Sequence, residues 1–188
     1  YKDNVKGFWE VGSTYSNSVS LEQAKDRTSF RTSLTYLDNE WMMPNTGFNR
    51  FNFAGSLSHK LNDRLKISTK LAYSRMKSDN LPATGYNNQS ISYFMIFQNP
   101  NVDLKWYQPI WKNGQEQIDQ IHPFSSFIDN PYLIAYEMLN GVDKRTISGS
   151  MTVDYNFNNH FSMMFRSGIE VLNEERTTKR PWISANYF

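Results

Sequence analysis

The residue types that can do chemistry are few in this sequence, and they are scattered. The chain has three histidines, His59, His122 and His160, and no cysteine, and no histidine has a second ligand at metal-binding spacing. Glu174 and Glu175 are adjacent in the chain, so on an extended strand they would point to opposite faces, whereas hydrolytic carboxylate pairs lie across a cleft. No glycine-rich phosphate loop occurs. We therefore expect no catalytic residue, no metal and no cofactor.

Charge and hydropathy exclude further classes of protein. The 188 residues carry a net charge of +2 without a long basic run, which argues against a nucleic-acid partner. No stretch approaches the roughly 18 consecutive apolar residues that a membrane helix needs. The mean hydropathy of −0.64 excludes a helical membrane protein but allows strands that are apolar on one face only.

Two segments, Phe51–Ser74 and Ile147–Val171, alternate between apolar and polar residues. Each is typical of two strands that are joined by a short polar turn. Period-two alternation predicts strands with one apolar and one polar face.

The whole chain is predicted to be an all-β, antiparallel segment of a transmembrane β-barrel. The six predicted strands run over about 10–21, 28–37, 51–59, 65–75, 145–157 and 161–171. Their turns, at 23–26, 60–64 and 158–160, are short, whereas the connections 38–50 and about 77–144 are long. Short helices are predicted from Asn130 to Gly141 and within Ser90–Gln98. Short turns at one rim and long loops at the other are typical of outer-membrane barrels.

The alternation also assigns residues to faces. In the predicted register, His59 lies opposite Leu65 and Phe157 lies opposite Phe161. The apolar face, expected to contact lipid, holds Phe53, Leu57, Ile67, Leu71, Met151, Val153, Met163, Phe165 and Ile169. The polar face, expected to line the lumen, holds Lys66, Lys70, Asp154, Arg166 and Glu170. Asp154 is predicted to lie diagonal to Arg166, within reach of an ion pair.

The long connection is rich in aromatic residues. Trp106, Tyr107, Trp111 and Tyr132 are candidate contacts for a solute or a protein partner, because aromatic rings bury large areas at interfaces. The alternative is that these rings form the loop's own small core, which a long ordered loop requires.

Several short segments together resemble SusC/RagA-type TonB-dependent transporters. They are Pro44-Asn45-Thr46, Leu61-Asn62-Asp63, Ser78-Asp79-Asn80-Leu81-Pro82, the NPYLIAYE segment 130–137 and the strand pair with its charged tail at 156–180. One departure is Trp41-Met42-Met43, which is bulkier than the family's usual glycine-containing approach to Pro-Asn-Thr and leaves the shape of that loop open.

The resemblance implies a plugged barrel of about 22 strands in the outer membrane of a Gram-negative bacterium. Such a receptor imports glycan or peptide oligomers, is driven by TonB and works with a SusD-like surface lipoprotein. About six strands are present here, so we expect an internal piece of a longer protein. The plug, the TonB-contacting N-terminal region and the other strands lie outside it. The chain opens with YKDNVKGFW rather than a signal peptide, which agrees with that expectation.

Two other classes remain open at this point. A soluble carbohydrate-binding β-sandwich would use Trp106 and Trp111 as a platform, and its apolar stripes would face a second sheet in the same chain. A structural or adhesive surface module is the third class.

Overall fold

The computed structural model describes residues 3–125 and 127–185. Six antiparallel strands form one open sheet whose strand order follows the chain. The strands are β1 (Ser13–Lys25), β2 (Thr28–Glu40), β3 (Gly47–Lys60), β4 (Leu65–Asn80), β5 (Leu139–Asn156) and β6 (Ser162–Lys179). Two short helices, α1 (Ile91–Phe97) and α2 (Pro131–Tyr136), and three 3-10 turns (Lys6–Phe8, Leu104–Tyr107 and Lys112–Gly114) lie outside the sheet.

The six predicted strands are present, and most of them are longer than predicted. β4 continues to Asn80 and β5 begins at Leu139, so the long connection covers residues 81–138 rather than 77–144, and the shorter one covers 41–46 rather than 38–50. Charged residues interrupt the apolar alternation near these ends, but backbone pairing needs no apolar side chain. β1 begins and ends later than predicted, and its turn is Asp26–Arg27 rather than 23–26, with Asp26 in the left-handed region at φ 49°.

The predicted register is confirmed in one hairpin and wrong in the other. Between β5 and β6, Tyr155 pairs with Met163 and Val153 with Phe165, as predicted. Between β3 and β4, His59 pairs with Ile67 rather than Leu65, a shift of two residues. The turn covers residues 61–64 rather than 60–64, and the Asn62 side chain closes it by accepting hydrogen bonds from the N–H groups of residues 64 and 65. A shift of two leaves every side chain on its predicted face.

The buried apolar core lies at the long-loop end of the sheet. Its members come from the loop, from the segment before β1 and from the β2–β3 connection: Phe8, Met43, Ile91, Phe94, Leu104, Tyr107, Ile128, Leu133, Ile134, Ala135 and Met138. We call residues 3–9, 41–46, 81–125, 127–138 and 181–185 the rim unit. All described strands belong to one sheet, so no second sheet covers the apolar stripes and the β-sandwich interpretation is wrong.

Asn130 is the buried polar centre of the rim unit. Its Oδ1 caps α2 by accepting hydrogen bonds from the N–H groups of Tyr132 and Leu133. Its Nδ2 donates to the carbonyls of Tyr107 and Ile121 at 2.9 and 3.1 Å. The helix therefore begins as predicted, but it ends at Tyr136 rather than near Gly141 because β5 has already begun there. The prediction of a helix within Ser90–Gln98 is confirmed by α1.

The rim unit also binds the segments beside both edge strands. Before β1, Asn4 donates to the carbonyl of Val102 at 2.5 Å and accepts from the N–H of Leu104 at 2.8 Å. After β6, the N–H of Ala185 donates to both carboxylate oxygens of Asp129 at 3.0 and 3.1 Å. Edge strands of a six-stranded sheet are about 24 Å apart, so the rim unit ties together chain segments from the full width of the sheet.

Candidate functional site

The two faces of the sheet differ in chemistry along its whole width. In the observed pairing, one face carries Val19, Leu21, Phe30, Leu34, Phe53, Leu57, Ile67, Leu71, Ile147, Met151, Val153, Phe165, Ile169 and Val171. Most of these side chains are exposed or half-exposed, because no layer packs on them within the described residues. A contiguous apolar surface of this size is unusual on a protein that is surrounded by water.

Aromatic rings border this apolar band at both ends. At the short-turn end, the rings of Tyr155 and Phe157 lie 4.7 Å apart in a T-shaped arrangement. At the long-loop end, the rings of Phe51 and Tyr73 lie 6.3 Å apart. Ten residue steps separate Phe157 from Ile147, about 33 Å along a strand. A tilt of about 40° converts that length to about 25 Å, which matches the height of the lipid-facing band of outer-membrane barrels.

Beyond the band the same face becomes charged. The next side chains along β4 are Arg75, Lys77 and Asp79, and those along β5 are Arg145 and Asp143. Asp143 accepts hydrogen bonds from both arginines. Sequence reasoning missed this cluster, because it ended β4 at Arg75 and began β5 at Arg145, leaving Asp143 in the loop. The apolar band therefore ends at a row of charged residues on its long-loop side.

The predicted lumen residues all lie on the opposite, polar face. Lys66 is paired with Asp154, Lys70 with Ser150 and Glu170 with Ser148. The predicted ion pair between Asp154 and Arg166 is not formed among the described residues. Arg166 instead donates its Nε to the hydroxyl of Thr152, its direct cross-strand neighbour, at 3.2 Å.

A shallow depression of about 490 Å³ lies in the middle of the polar face. Arg31 and Lys70 are its charged residues. Its remaining lining is mostly small: Ser33, Ala54, Gly55, Ser56, Leu71, Ala72, Ser148, Gly149 and Ser150. The small side chains leave this surface open to water.

The rim unit covers the polar face at the long-loop end of the sheet. Ser78 and Val142 are paired on that face and both are buried, whereas Lys77 and Asp79 on the apolar face stay exposed. Asn80 donates its side-chain amide to the carbonyls of Asn45 and Ala135 at 3.0 and 3.1 Å. The rim unit therefore leans over the polar side of the sheet. Asn45 and Asn80 belong to the Pro-Asn-Thr and Ser-Asp-Asn segments, whose contact the sequence alone did not reveal.

The four predicted contact aromatics have different surroundings in the rim unit. Tyr107 is only 6% exposed and belongs to the core, and Trp111 and Tyr132 pack against that core. Burial raises the pKa of the Tyr107 and Tyr132 hydroxyls. Trp106 is 58% exposed, more than any of the other three.

A second aromatic group escaped the sequence analysis. Tyr93 on α1 contacts Tyr86 at a centroid distance of 4.6 Å and Phe97 at 5.0 Å. Tyr86 is 72% exposed. The spacing of four residues between Tyr93 and Phe97 on a predicted helix was the available signal, because such residues share a helix face.

The described residues contain neither a metal-binding cluster nor a helix that could span a membrane. No group of three or more histidine, aspartate or glutamate residues is placed to hold a metal ion there. His59 shares a 2.7 Å hydrogen bond with the hydroxyl of Thr28. No helix in residues 3–125 or 127–185 has the length and apolar character needed to cross a membrane.

Comparison with known proteins gives a partial match. No protein-family model matches the chain. A stretch of 74 residues is 31% identical to TonB-dependent receptor P26 of Formosa agariphila. That stretch covers 39% of this chain and 7% of the length of the receptor, so it matches a small part of a much longer protein. Together with the open antiparallel sheet, the match supports a segment of a TonB-dependent receptor and an outer-membrane setting.

Proposed function

We propose that this chain is part of the membrane-spanning wall of a SusC/RagA-type TonB-dependent transporter. The observation that carries the proposal is the uncovered apolar band, which is about as tall as the lipid-facing surface of an outer-membrane barrel. Backbone groups in lipid must be paired within the protein, so the free edges of β1 and β6 need strands from the rest of a closed barrel.

In this proposal the polar face lines a water-filled passage for glycan or peptide oligomers. Lys66, Lys70, Asp154, Arg166 and Glu170 keep that wall hydrated, and no covalent chemistry is required of them. Since the rim unit leans over the polar face, a solute passes beside it on the way into the barrel. Its motion is driven by TonB, through a region that precedes this segment.

The rim unit is the proposed contact for the SusD-like lipoprotein and for solute. Large exposed rings, among them Tyr86, Phe97 and Trp106, give it apolar surface of the kind that interfaces use. Trp106 is the proposed stacking surface for a sugar ring, which places the solute at the mouth of the passage.

Membrane fractionation of the full-length protein that contains this segment tests the barrel proposal. We expect the protein in the detergent-extracted outer-membrane fraction, with faster gel migration before heating than after. A protein that is soluble without detergent and migrates identically before and after heating would overturn the barrel proposal.

Binding measurements on the purified full-length receptor test the solute class. Titration calorimetry with glycan oligomers and with peptides of similar length should give binding for one class only. Trp106→Ala is expected to weaken glycan binding by about fivefold, since one aromatic contact contributes about 1 kcal/mol. Phe161→Ala is the control, because Phe161 is an aromatic residue that is 70% exposed and lies at the short-turn end of the sheet, away from the rim unit. Glycan affinity that survives Trp106→Ala unchanged would remove the stacking role.

A further inference from the structure

Two arginines lie side by side where the apolar band ends, toward the long-loop end of the sheet. Arg75 on β4 and Arg145 on β5 are direct cross-strand partners. The Asp143 carboxylate holds both of them: Arg75 donates Nε and Nη2 at 3.1 and 2.7 Å, and Arg145 donates Nε and Nη2 at 3.3 and 2.8 Å. We call Arg75 and Arg145 the arginine pair. Together with Asp143 the arginine pair carries a net charge of +1, because two cations share one anion.

The arginine pair has hydrogen-bonding capacity left over. Each guanidinium has five N–H donors, and its bonds to Asp143 use one on Nε and one on Nη2. The side chains of Arg75 and Arg145 are 43% and 51% exposed, whereas that of Asp143 is 17% exposed. The surface therefore presents donors, and the carboxylate lies behind them. Paired guanidinium groups with open donors suit the oxygens of a phosphate.

The order of charges along the strands places the cations of the site nearer to the apolar band than its carboxylates. Arg75 and Arg145 occupy the row next to the apolar band, beside Phe51, whereas Lys77, Asp143 and Glu175 occupy the next row outward. A group that approaches from the apolar side meets the guanidinium groups before it meets any carboxylate of this cluster. If the band faces hydrocarbon, this row lies at the height of the lipid headgroups.

We propose that the arginine pair binds the phosphate of an outer-leaflet lipid headgroup. The proposal depends on the membrane-facing role assigned above to the apolar band. Charge complementarity at that height selects a phosphate-bearing lipid over an uncharged one. Bound lipid would fix the depth of the barrel in the membrane at this point of its circumference.

The test uses the full-length receptor in dodecyl maltoside and native mass spectrometry. The probes are diphosphoryl lipid A and the same lipid after phosphatase treatment. We expect the wild type to bind the phosphorylated form at least tenfold more tightly. Arg75→Gln/Arg145→Gln should abolish that preference. Lys66→Gln/Lys70→Gln, which removes two charges from the polar face of β4, should keep it. Inorganic phosphate at millimolar concentration should not displace the lipid, and displacement would assign the site to free phosphate.

The outcomes separate this inference from the proposed function. Equal binding of both lipids by the wild type, or an unchanged preference in the double variant, overturns the inference while the receptor still fractionates with the membrane. A receptor that does not reach the membrane overturns the proposed function instead. If the double variant lacks heat-dependent migration and has therefore not folded, Arg75→Lys and Arg145→Lys are compared instead. Lysine keeps the positive charge but lacks the planar, forked N–H donors of the guanidinium group. An undiminished phosphate preference in both lysine variants would equally contradict a guanidinium site.

Discussion

Leu71 and Ala72 are neighbours in β4, and their side chains lie on opposite faces of the sheet. Both residues border the depression, but the side chain of Leu71 lies on the apolar face, near the middle of the band, whereas that of Ala72 lies on the polar face. In the proposed membrane wall, a charge at these two positions would therefore meet hydrocarbon in one case and water in the other.

We predict that Leu71→Arg destabilises the assembled barrel by about 2–4 kcal/mol, since a cation near the bilayer midplane has that cost. Ala72→Arg should change stability by less than about 1 kcal/mol, because the depression is open to water. Urea titration of the full-length receptor in lipid vesicles measures both. Equal losses at the two positions would contradict the assignment of faces.

At the scale of elements, the β3–β4 and β5–β6 hairpins each have an asparagine that closes the turn. Asn62 and Asn158 accept hydrogen bonds from the N–H groups two and three residues later, at 2.8–3.0 Å. This arrangement satisfies backbone donors that would otherwise be unpaired in the turn.

We predict that Asn158→Ala costs about 1–2 kcal/mol, the sum of two net hydrogen bonds of about 0.5–1.5 kcal/mol each that are partly replaced by water. Asn159→Ala, in the same turn, is the control and should be close to neutral. Equilibrium unfolding of the full-length receptor compares the two variants. A larger effect for Asn159→Ala would show that the turn is not closed by Asn158.

The rim unit contains a carboxyl group whose protonation is coupled to its folding. Burial raises the pKa of Asp129 above the ordinary value of 3.8, against the hydrogen bonds from Gln120 and Ala185, which lower it. The folded unit therefore binds this proton more tightly than the unfolded chain. The resulting stabilisation is complete below pH 3.8 and is lost as the pH rises through the raised pKa.

We predict that the rim unit around Asp129 opens more readily at pH 7 than at pH 4. Hydrogen–deuterium exchange of the assembled receptor, corrected for the intrinsic pH dependence of exchange, measures this opening. Asp129→Asn should remove the difference, whereas Asp119→Asn, a more exposed carboxyl in the same unit, should keep it. Persistence of the full difference in Asp129→Asn would contradict the coupling.

The sequence predicted the elements that repeat and missed those that depend on distant contacts. Alternation fixed the strands and their faces, because a face is a period-two property of the chain itself. It did not fix the β3–β4 register, since pairing His59 with Leu65 or with Ile67 leaves the same faces apolar.

Periodicity could not predict contacts between residues that are far apart in the chain. Arg75 and Asp143 are 68 residues apart and meet because both strands continue past the apolar pattern. The rim unit has no period at all, so its aromatic residues could be read either as a core or as a contact surface. Its structure divides them, with Tyr107 inside and Trp106 at the surface.

At the scale of the whole molecule, the sheet is open at both edges and uncovered on its apolar face. In water such a sheet exposes both unpaired backbone groups and hydrocarbon-like surface. A closed barrel in a bilayer would remove both problems at once, as the proposed function requires.

Cysteine scanning of β4 tests most directly whether the apolar face contacts lipid. The segment has no cysteine, so single cysteines at 67–72 can be labelled with a fluorophore in the full-length receptor, with any cysteines elsewhere replaced by serine. We predict that nitroxide lipids quench the odd-numbered positions and that aqueous iodide quenches the even-numbered ones. Iodide quenching at the odd positions, or no alternation at all, would contradict a lipid-facing apolar surface.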